Sequence, residues 1–239
     1  VLIVIPAKNE ETTIAEVIRG SLRYGDVLVV DDYSTDDTLA LSLELGAKVI
    51  SNEIGGYSGA IYSGIEFGIK KKYNFIVTID GDGEHCCDDI PKITQKLRSG
   101  ADVVFGARPR TQRFSETIYN KYYQFIFDLK TDYCSGLKGY NTIPLINKKP
   151  KYKDICGNVH AFGILRVPKS TSESVPITII PRQGTTRFGG FIVGNIKILK
   201  SIFNDVLFWI WENYPTVILI NCSGNKKILI DWIILKNEN

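Results

Sequence analysis

Short apolar runs alternate with amphipathic stretches along the first hundred positions. Residues 1–5 are continuously apolar and end in Pro6-Ala7-Lys8-Asn9-Glu10-Glu11, the pattern of a buried strand running into a polar loop. A helix pattern follows: Thr12 or Thr13 can cap it, Ile14, Val17, Ile18 and Leu22 share one face, and Gly25 stops it. The unit then repeats, with an apolar strand at 27–30 that ends in Asp31-Asp32-Tyr33-Ser34-Thr35-Asp36-Asp37-Thr38. Further strands are predicted at 47–50, 75–79 and 101–105, and helices at 57–72 and 88–98. This order describes an α/β fold with a mostly parallel central sheet flanked by helices, which binds its ligand along the carboxyl edge of the strands.

The chemistry concentrates at that edge. Residues 78–85 read TIDGDGEH, so the strand at 75–79 runs straight into Asp80-Gly81-Asp82. Alternate residues of an extended segment point the same way, so both carboxylates can close on one hard cation. Gly81 leaves room for a phosphate to approach the backbone. Strand ends are also rich in Asp and Gly for local turn reasons, so the triplet gains weight only from its neighbours. Gly55, Gly56 and Gly59 precede or open the long helix at 57–72, a placement suited to a nucleotide or phosphate.

Composition narrows the classes. A chain of 239 residues, 44% hydrophobic and 23% charged, can bury one sizeable core. Its net charge of +3 is too small to imply a nucleic-acid partner, and Lys70-Lys71-Lys72 reads as a solvated, dipole-favoured helix end. Cysteines stand at 86, 87, 134, 156 and 222 without zinc-type spacing, which suggests a reducing compartment. Cys86-Cys87 reads as small residues packed at the start of the next helix.

VIPAKNEE (4–11), VVDDYSTDDT (29–38), TIDGDGEH (78–85), GAR (106–108), DYCSGLKGY (132–140) and VPITIIPRQGTTRFG (175–189) occur in the order found in family 2 glycosyltransferases. The chain resembles in particular the polyprenyl-phosphate, or dolichyl-phosphate-mannose-synthase-like, branch. That resemblance implies a GT-A, Rossmann-like nucleotide-binding domain over residues 1–190. It implies that Pro6, Lys8 and Glu10 line the base and ribose of a nucleotide-diphosphate sugar, with Asp31 or Asp32 accepting a hydrogen bond from the base. Gly55 and Gly81 join the donor site. Asp80, Asp82 and Glu84 would hold Mg²⁺ or Mn²⁺, with Glu84 standing where a glutamine is commoner, and His85 would be a neighbour of the ligands. Arg108, Arg182 and Arg187 match places where the family sets cations against phosphate, Arg187 replacing a commoner lysine.

The resemblance further implies inverting transfer of a hexose, from a UDP- or GDP-linked donor, to a lipid phosphate. A phosphate monoester has its second pKa near ~6 and can attack without a protein base, whereas a saccharide hydroxyl needs a positioned carboxylate. Asp132 is the candidate for that carboxylate, and it aligns with an acidic residue near the acceptor in relatives. His160, in GNVHAFG, resembles a histidine of one subgroup. The alternatives are a hydroxyl-acceptor enzyme and a non-catalytic sugar-nucleotide binding module. A nucleotidyltransferase is disfavoured because PAKNEE lacks the glycines of its loop.

Beyond Gly190 the composition shifts. Residues 191–211 read as an amphipathic helix lying on a membrane or beside the core, and 217–220 with 228–234 as two closing strands or a hairpin. Asn204, Asp205, Glu212, Asn213 and Pro215 interrupt the apolar stretch at 201–222, so it is not expected to cross a bilayer. The expected setting is cytoplasmic and peripheral at a membrane surface, with oligomeric state open.

Overall fold

A computed structural model describes residues 1–146, 156–181 and 190–213. Its strands are β1 (Leu2–Ala7), β2 (Asp26–Asp31), β3 (Lys48–Ser51), β4 (Phe75–Thr78), β5 (Val103–Ala107), β6 (Lys138–Asn141) and β7 (Ser172–Pro176). Helices α1 (Ile14–Leu22), α2 (Thr38–Glu44), α3 (Gly56–Lys70), α4 (Ile90–Arg98), α5 (Phe114–Phe127), α6 (Val159–Leu165) and α7 (Gly190–Asn213) lie between or after them. Among the described residues the strands form one sheet in the order β3-β2-β1-β4-β6-β5-β7. Only β6 runs against its neighbours β4 and β5; the other pairings are parallel.

Burial on both faces explains why β1 and β2 read as unbroken apolar runs. Leu2, Val4, Leu28, Val30 and Ile76 belong to one core, which includes residues of α3, α5 and α6. Ile3, Ile5, Val27, Val29 and Val77 face the other, with residues of α1 and α4. On α1, Ile14, Val17 and Ile18 are buried as the pattern predicts. Leu22 is not: it is 42% exposed, and Ser21 takes the buried place one residue earlier.

Four elements are absent from the sequence-based expectation. Helices α5 and α6 and strand β7 lie where no periodic signal was read. Strand β6 is Lys138-Gly139-Tyr140-Asn141, a poor strand composition. It is accommodated because Gly139 lies under α4, where any Cβ would collide with Ile93. The expected hairpin at 217–234 lies outside the described residues.

The chain divides into two compact units, Val1–Ile202 and Phe203–Asn239, with the boundary inside α7. Of the two placements expected for the C-terminal helix, on a membrane or beside the core, Ile198 of α7 takes the second: it is 2% exposed and belongs to the main core. No helix of the described residues is long and apolar enough to cross a membrane.

Helix α3 lies on β1 and β2 through glycine. A Cβ at Gly64 would overlap Val4 and press on Val30, so α3 sits closer to the sheet than an alanine-bearing helix could. Gly64→Ala therefore sets two effects against each other. Alanine favours the helix by about 1 kcal/mol, but overpacking a filled core costs about 1–3 kcal/mol. The steric effect should win, and the urea midpoint should fall; a raised midpoint would show that α3 can lift off the sheet freely.

Candidate active site

The carboxyl ends of β1, β2 and β4, the residue after β5 and the start of α3 open on one cavity of about 550 Å³. Pro6, Lys8, Glu10, Asp32, Gly55, Asp80, Gly81, Asp82, Glu84 and Arg108 all line it, so most of the residues singled out from the sequence come together. Asp31, Asp132, Arg182 and Arg187 are the exceptions. The two arginines lie outside the described residues.

Geometry separates the two aspartates at the end of β2. Asp32 faces the cavity, where its carboxylate ties three loops: it accepts from Lys8 Nζ (3.2 Å), Asn52 Nδ2 (2.7 Å) and the Gly56 amide (2.9 Å). Asp31, one residue earlier on the strand, is turned away and receives the Ser34 amide (3.2 Å). Its buried Oδ1 has no hydrogen-bond partner. The loops after β1 and β2 are further zipped together by Asn9, whose amide donates to Ser34 Oγ (2.9 Å) and whose Oδ1 accepts from the Thr35 amide (2.7 Å).

The Asp80-Gly81-Asp82 segment is a turn, not the extended stretch expected from the sequence, because β4 already ends at Thr78. Asp82 Oδ1 accepts from the Glu84 amide (3.1 Å), a local turn bond. Gly81 is held from below, its carbonyl accepting from Thr13 Oγ1 (2.8 Å). Thr13 thus sits at the start of α1 without capping it by its side chain.

Asp80 is fixed from several sides. Tyr57 OH donates to its Oδ1 (2.9 Å), and His85 Nε2 lies 3.4 Å from its Oδ2. Gly136 lies directly behind it, where any Cβ would collide with the carboxylate. Burial alone would raise the Asp80 pKa. The hydrogen bond and charge of His85, the Tyr57 hydroxyl and the charge of buried Lys138 outweigh burial and hold the carboxyl below its usual range. His85 is itself 4% exposed, with Nδ1 unpartnered.

The implied divalent ion can be tested against this donor set. Asp80 and Asp82 offer hard oxygens on one cavity. Glu84 does not complete a triad: its Oε2 accepts from Gln112 Nε2 (2.9 Å). Among the described residues no three His, Cys, Asp or Glu side chains cluster as a ready-made metal site. The pair fits an ion such as Mg²⁺ or Mn²⁺ that takes its remaining ligands from substrate phosphates.

Opposite the acidic turn lies a buried network that the sequence reading missed. Arg108 donates through Nε to Asp132 Oδ2 (2.5 Å) and through Nη2 to Asp132 Oδ1 (3.2 Å) and Glu116 Oε2 (2.9 Å). Arg113 Nη1 donates to Glu116 Oε1 (3.1 Å). The side chains of Arg108, Asp132 and Glu116 are 7%, 6% and 4% exposed. Asp132 Oδ1 also receives Asn120 Nδ2 (3.1 Å) and the Cys134 amide (3.1 Å), so three donors converge on that oxygen and Arg108 Nε on the other. Burial would raise its pKa, but Arg108 and these donors lower it below the usual carboxylate value.

Asp132, expected from the sequence as a carboxylate near the acceptor, does not line the cavity. It is a deeply held partner of Arg108. Arg113 and Glu116 line the cavity at the start of α5, and Lys197 and Ile198 line it from α7. The one legible trace of this network was the i, i+3 spacing of Arg113 and Glu116, informative only once a helix is known to start at residue 114. His160 lies elsewhere, on α6, with Nε2 3.1 Å from Glu66 Oε1 and its ring 5.0 Å from that of Tyr62. Cys87 packs against α1, 3.8 Å from Ser21 Oγ.

Comparison with known proteins identifies the family. The pattern described as Glycosyl transferase family 2 matches residues 2–166. An undecaprenyl-phosphate mannosyltransferase of Micrococcus luteus is 28% identical over 223 residues, 83% of this chain and 91% of that protein. Glycosyltransferase AglJ of Haloferax volcanii is 31% identical over 194 residues, 76% of this chain and 61% of its own. The chain spans about half the length of other relatives, among them a glycosyltransferase of Mycobacterium tuberculosis, 34% identical over 108 residues, 45% of this chain and 48% of that one.

Among solved structures, glucosyl-3-phosphoglycerate synthase from Mycobacterium tuberculosis in complex with phosphoglyceric acid superposes with a TM-score of 0.68 at 18% identity, covering 85% of this chain and 78% of that one. The same synthase with Mn²⁺, uridine diphosphate and phosphoglyceric acid gives 0.66 at 16%, covering 85% and 77%. At such identity the likeness establishes the fold. The sequence match, which spans most of the sheet and its acidic edge, establishes more: the chain belongs to glycosyl transferase family 2.

Proposed function

We propose that this protein is a metal-dependent inverting hexosyltransferase that moves a sugar from a UDP- or GDP-linked donor to the phosphate of a polyprenyl or dolichyl carrier. The observation that carries the acceptor class is the state of Asp132. A hydroxyl acceptor needs a carboxylate free to take its proton. The carboxylate that the sequence offers is buried and engaged by Arg108, Asn120 and the Cys134 amide. An acceptor that arrives ionised needs no such base, and Arg108, Arg113 and Lys197 line the cavity as cations suited to a phosphate. The undecaprenyl-phosphate mannosyltransferase relative supports the same acceptor class.

On this reading Pro6, Lys8, Glu10 and Asp32 receive the nucleoside, and Gly55, Gly56 and Gly81 let backbone approach the diphosphate. Asp80 and Asp82 would hold a divalent ion, Mg²⁺ or Mn²⁺, which when bound neutralises charge on the departing nucleotide diphosphate. His85, Tyr57 and Gly136 keep Asp80 ionised and immobile. Arg108, set rigidly by two carboxylates, orients the attacking phosphate, while Arg182 and Arg187 are proposed to add charge to the same phosphates. Peripheral contact at the cytoplasmic face of a membrane suits a lipid acceptor, and it is supported by Ile192, Val193 and Ile196 of α7, 72%, 48% and 59% exposed.

Incubation with a panel of labelled UDP- and GDP-hexoses, Mn²⁺ and short polyprenyl phosphates should carry label into the organic phase. Asp82→Ala should lower that rate by about 10²- to 10³-fold, the usual cost of losing charge stabilisation at a leaving group. Label found only on free saccharides would point to the hydroxyl-acceptor enzyme. Donor binding without any turnover would point to a binding module.

Asp132→Asn probes the other half. Removing one partner of a buried ion pair should cost about 3–5 kcal/mol of stability at neutral pH. The native pKa of Asp132 lies below its unfolded value of about 3.9, so its contribution is complete above that value and fades as pH falls through the native one. The gap in urea stability between wild type and Asp132→Asn should therefore shrink in acid. An unchanged stability together with a turnover loss of about 10²- to 10⁴-fold would instead mark Asp132 as a general base.

A further inference from the structure

Cys134 and Cys156, 22 positions apart, bring their sulfurs to 3.8 Å, and both residues line the cavity. Neither was singled out as a pair in the sequence, where they are separated by more than twenty residues and share no motif. Their surroundings connect them to the catalytic machinery from two directions. The Cys134 amide donates to Asp132 Oδ1, and Gly136, two residues on, backs Asp80. The Cys156 carbonyl accepts from Nζ of buried Lys138 (3.1 Å), whose charge acts on Asp80.

We propose that Cys134 and Cys156 are a reversible oxidation site, closing to an intramolecular disulfide that displaces the 132–136 loop and slows transfer. A disulfide needs the sulfurs at about 2.05 Å, so closure must draw them together and pull on the backbone that holds Asp132 and, through it, Arg108. The step balances with hydrogen peroxide as oxidant. Two S–H bonds break, one S–S bond forms, and the two electrons and two protons released reduce one peroxide to two waters. In a reducing compartment the pair rests as thiols and oxidises only transiently. Burial, then the adjacent Cys156, hold the Cys134 thiol well above the usual thiol range. Oxidation is accordingly slow at neutral pH and faster in alkali, since the thiolate is the reacting form.

The formation of the bond does not depend on the proposed reaction, whereas its effect on turnover rests on that reading. The full chain is treated with hydrogen peroxide, unfolded in the presence of an alkylating agent, digested and mapped by mass spectrometry. A peptide joining Cys134 to Cys156, lighter by two hydrogens, lost on dithiothreitol treatment and absent from Cys156→Ser, is the expected result. Recovery of both cysteines alkylated, or a cross-link through Cys86, Cys87 or Cys222 instead, overturns the site. Transfer by the oxidised protein should fall by up to about 10²-fold, the cost of displacing a positioning group by about an ångström, and recover on reduction. A mapped 134–156 disulfide with transfer unchanged overturns the control of activity. If the reduced protein transfers no sugar at all, the functional reading fails while the peptide map still decides the disulfide.

Discussion

A guanidinium buried between two carboxylates governs the architecture of this site. Charges removed from water are costly unless they are paired and hydrogen-bonded, and Arg108 meets that requirement through Asp132 on one side and Glu116 on the other. Satisfying it draws together elements far apart in sequence: the residue after β5, the first turn of α5 and the loop before β6. That loop then delivers Gly136 to the back of Asp80 and the Cys134 amide to Asp132. The acidic and cationic walls of the cavity are thus joined through the 132–136 loop.

The sheet sets the scale of this arrangement. Parallel β1, β2 and β4 end on the same edge, so the loops after them lie side by side and exchange hydrogen bonds through Asp32, Asn9 and Thr13. Antiparallel β6, inserted between β4 and β5, returns the chain so that its preceding loop also reaches that edge. Glycines at 64, 68 and 139 let α3 and α4 pack closely on this sheet, which keeps the edge rigid.

How much of this could be read in the sequence depends on the range of the forces involved. Strands β1, β2, β4 and β5 were legible because burial on both faces writes an unbroken apolar run. The cavity-lining residues of the first two loops and of the Asp80 turn followed from their place at strand ends. Strand β6 escaped because its residues answer to distant partners: Lys138 to Asp80, Gly139 to α4 and Asn141 to Asp102. Helix α5 escaped because its buried face carries Glu116, Tyr119 and Tyr123, an uneven mix that gives no clean apolar period. Glu84 and Asp132 stand out in the sequence as acidic residues within motifs, yet their partners Gln112 and Arg108 lie 28 and 24 residues away, beyond any local pattern. Arg182 and Arg187 fall outside the described residues, so their part in the site stays a proposal.

The central claim is that the acceptor supplies its own negative charge while Asp132 serves only to hold Arg108. The pH dependence of kcat/KM for transfer to a polyprenyl phosphate tests it most directly. An acid limb that follows the acceptor's second ionisation, near ~6, and keeps its position in Asp132→Asn is the result expected. A limb that moves or vanishes with that substitution would mean that a protein carboxylate takes the proton, and the account would be wrong.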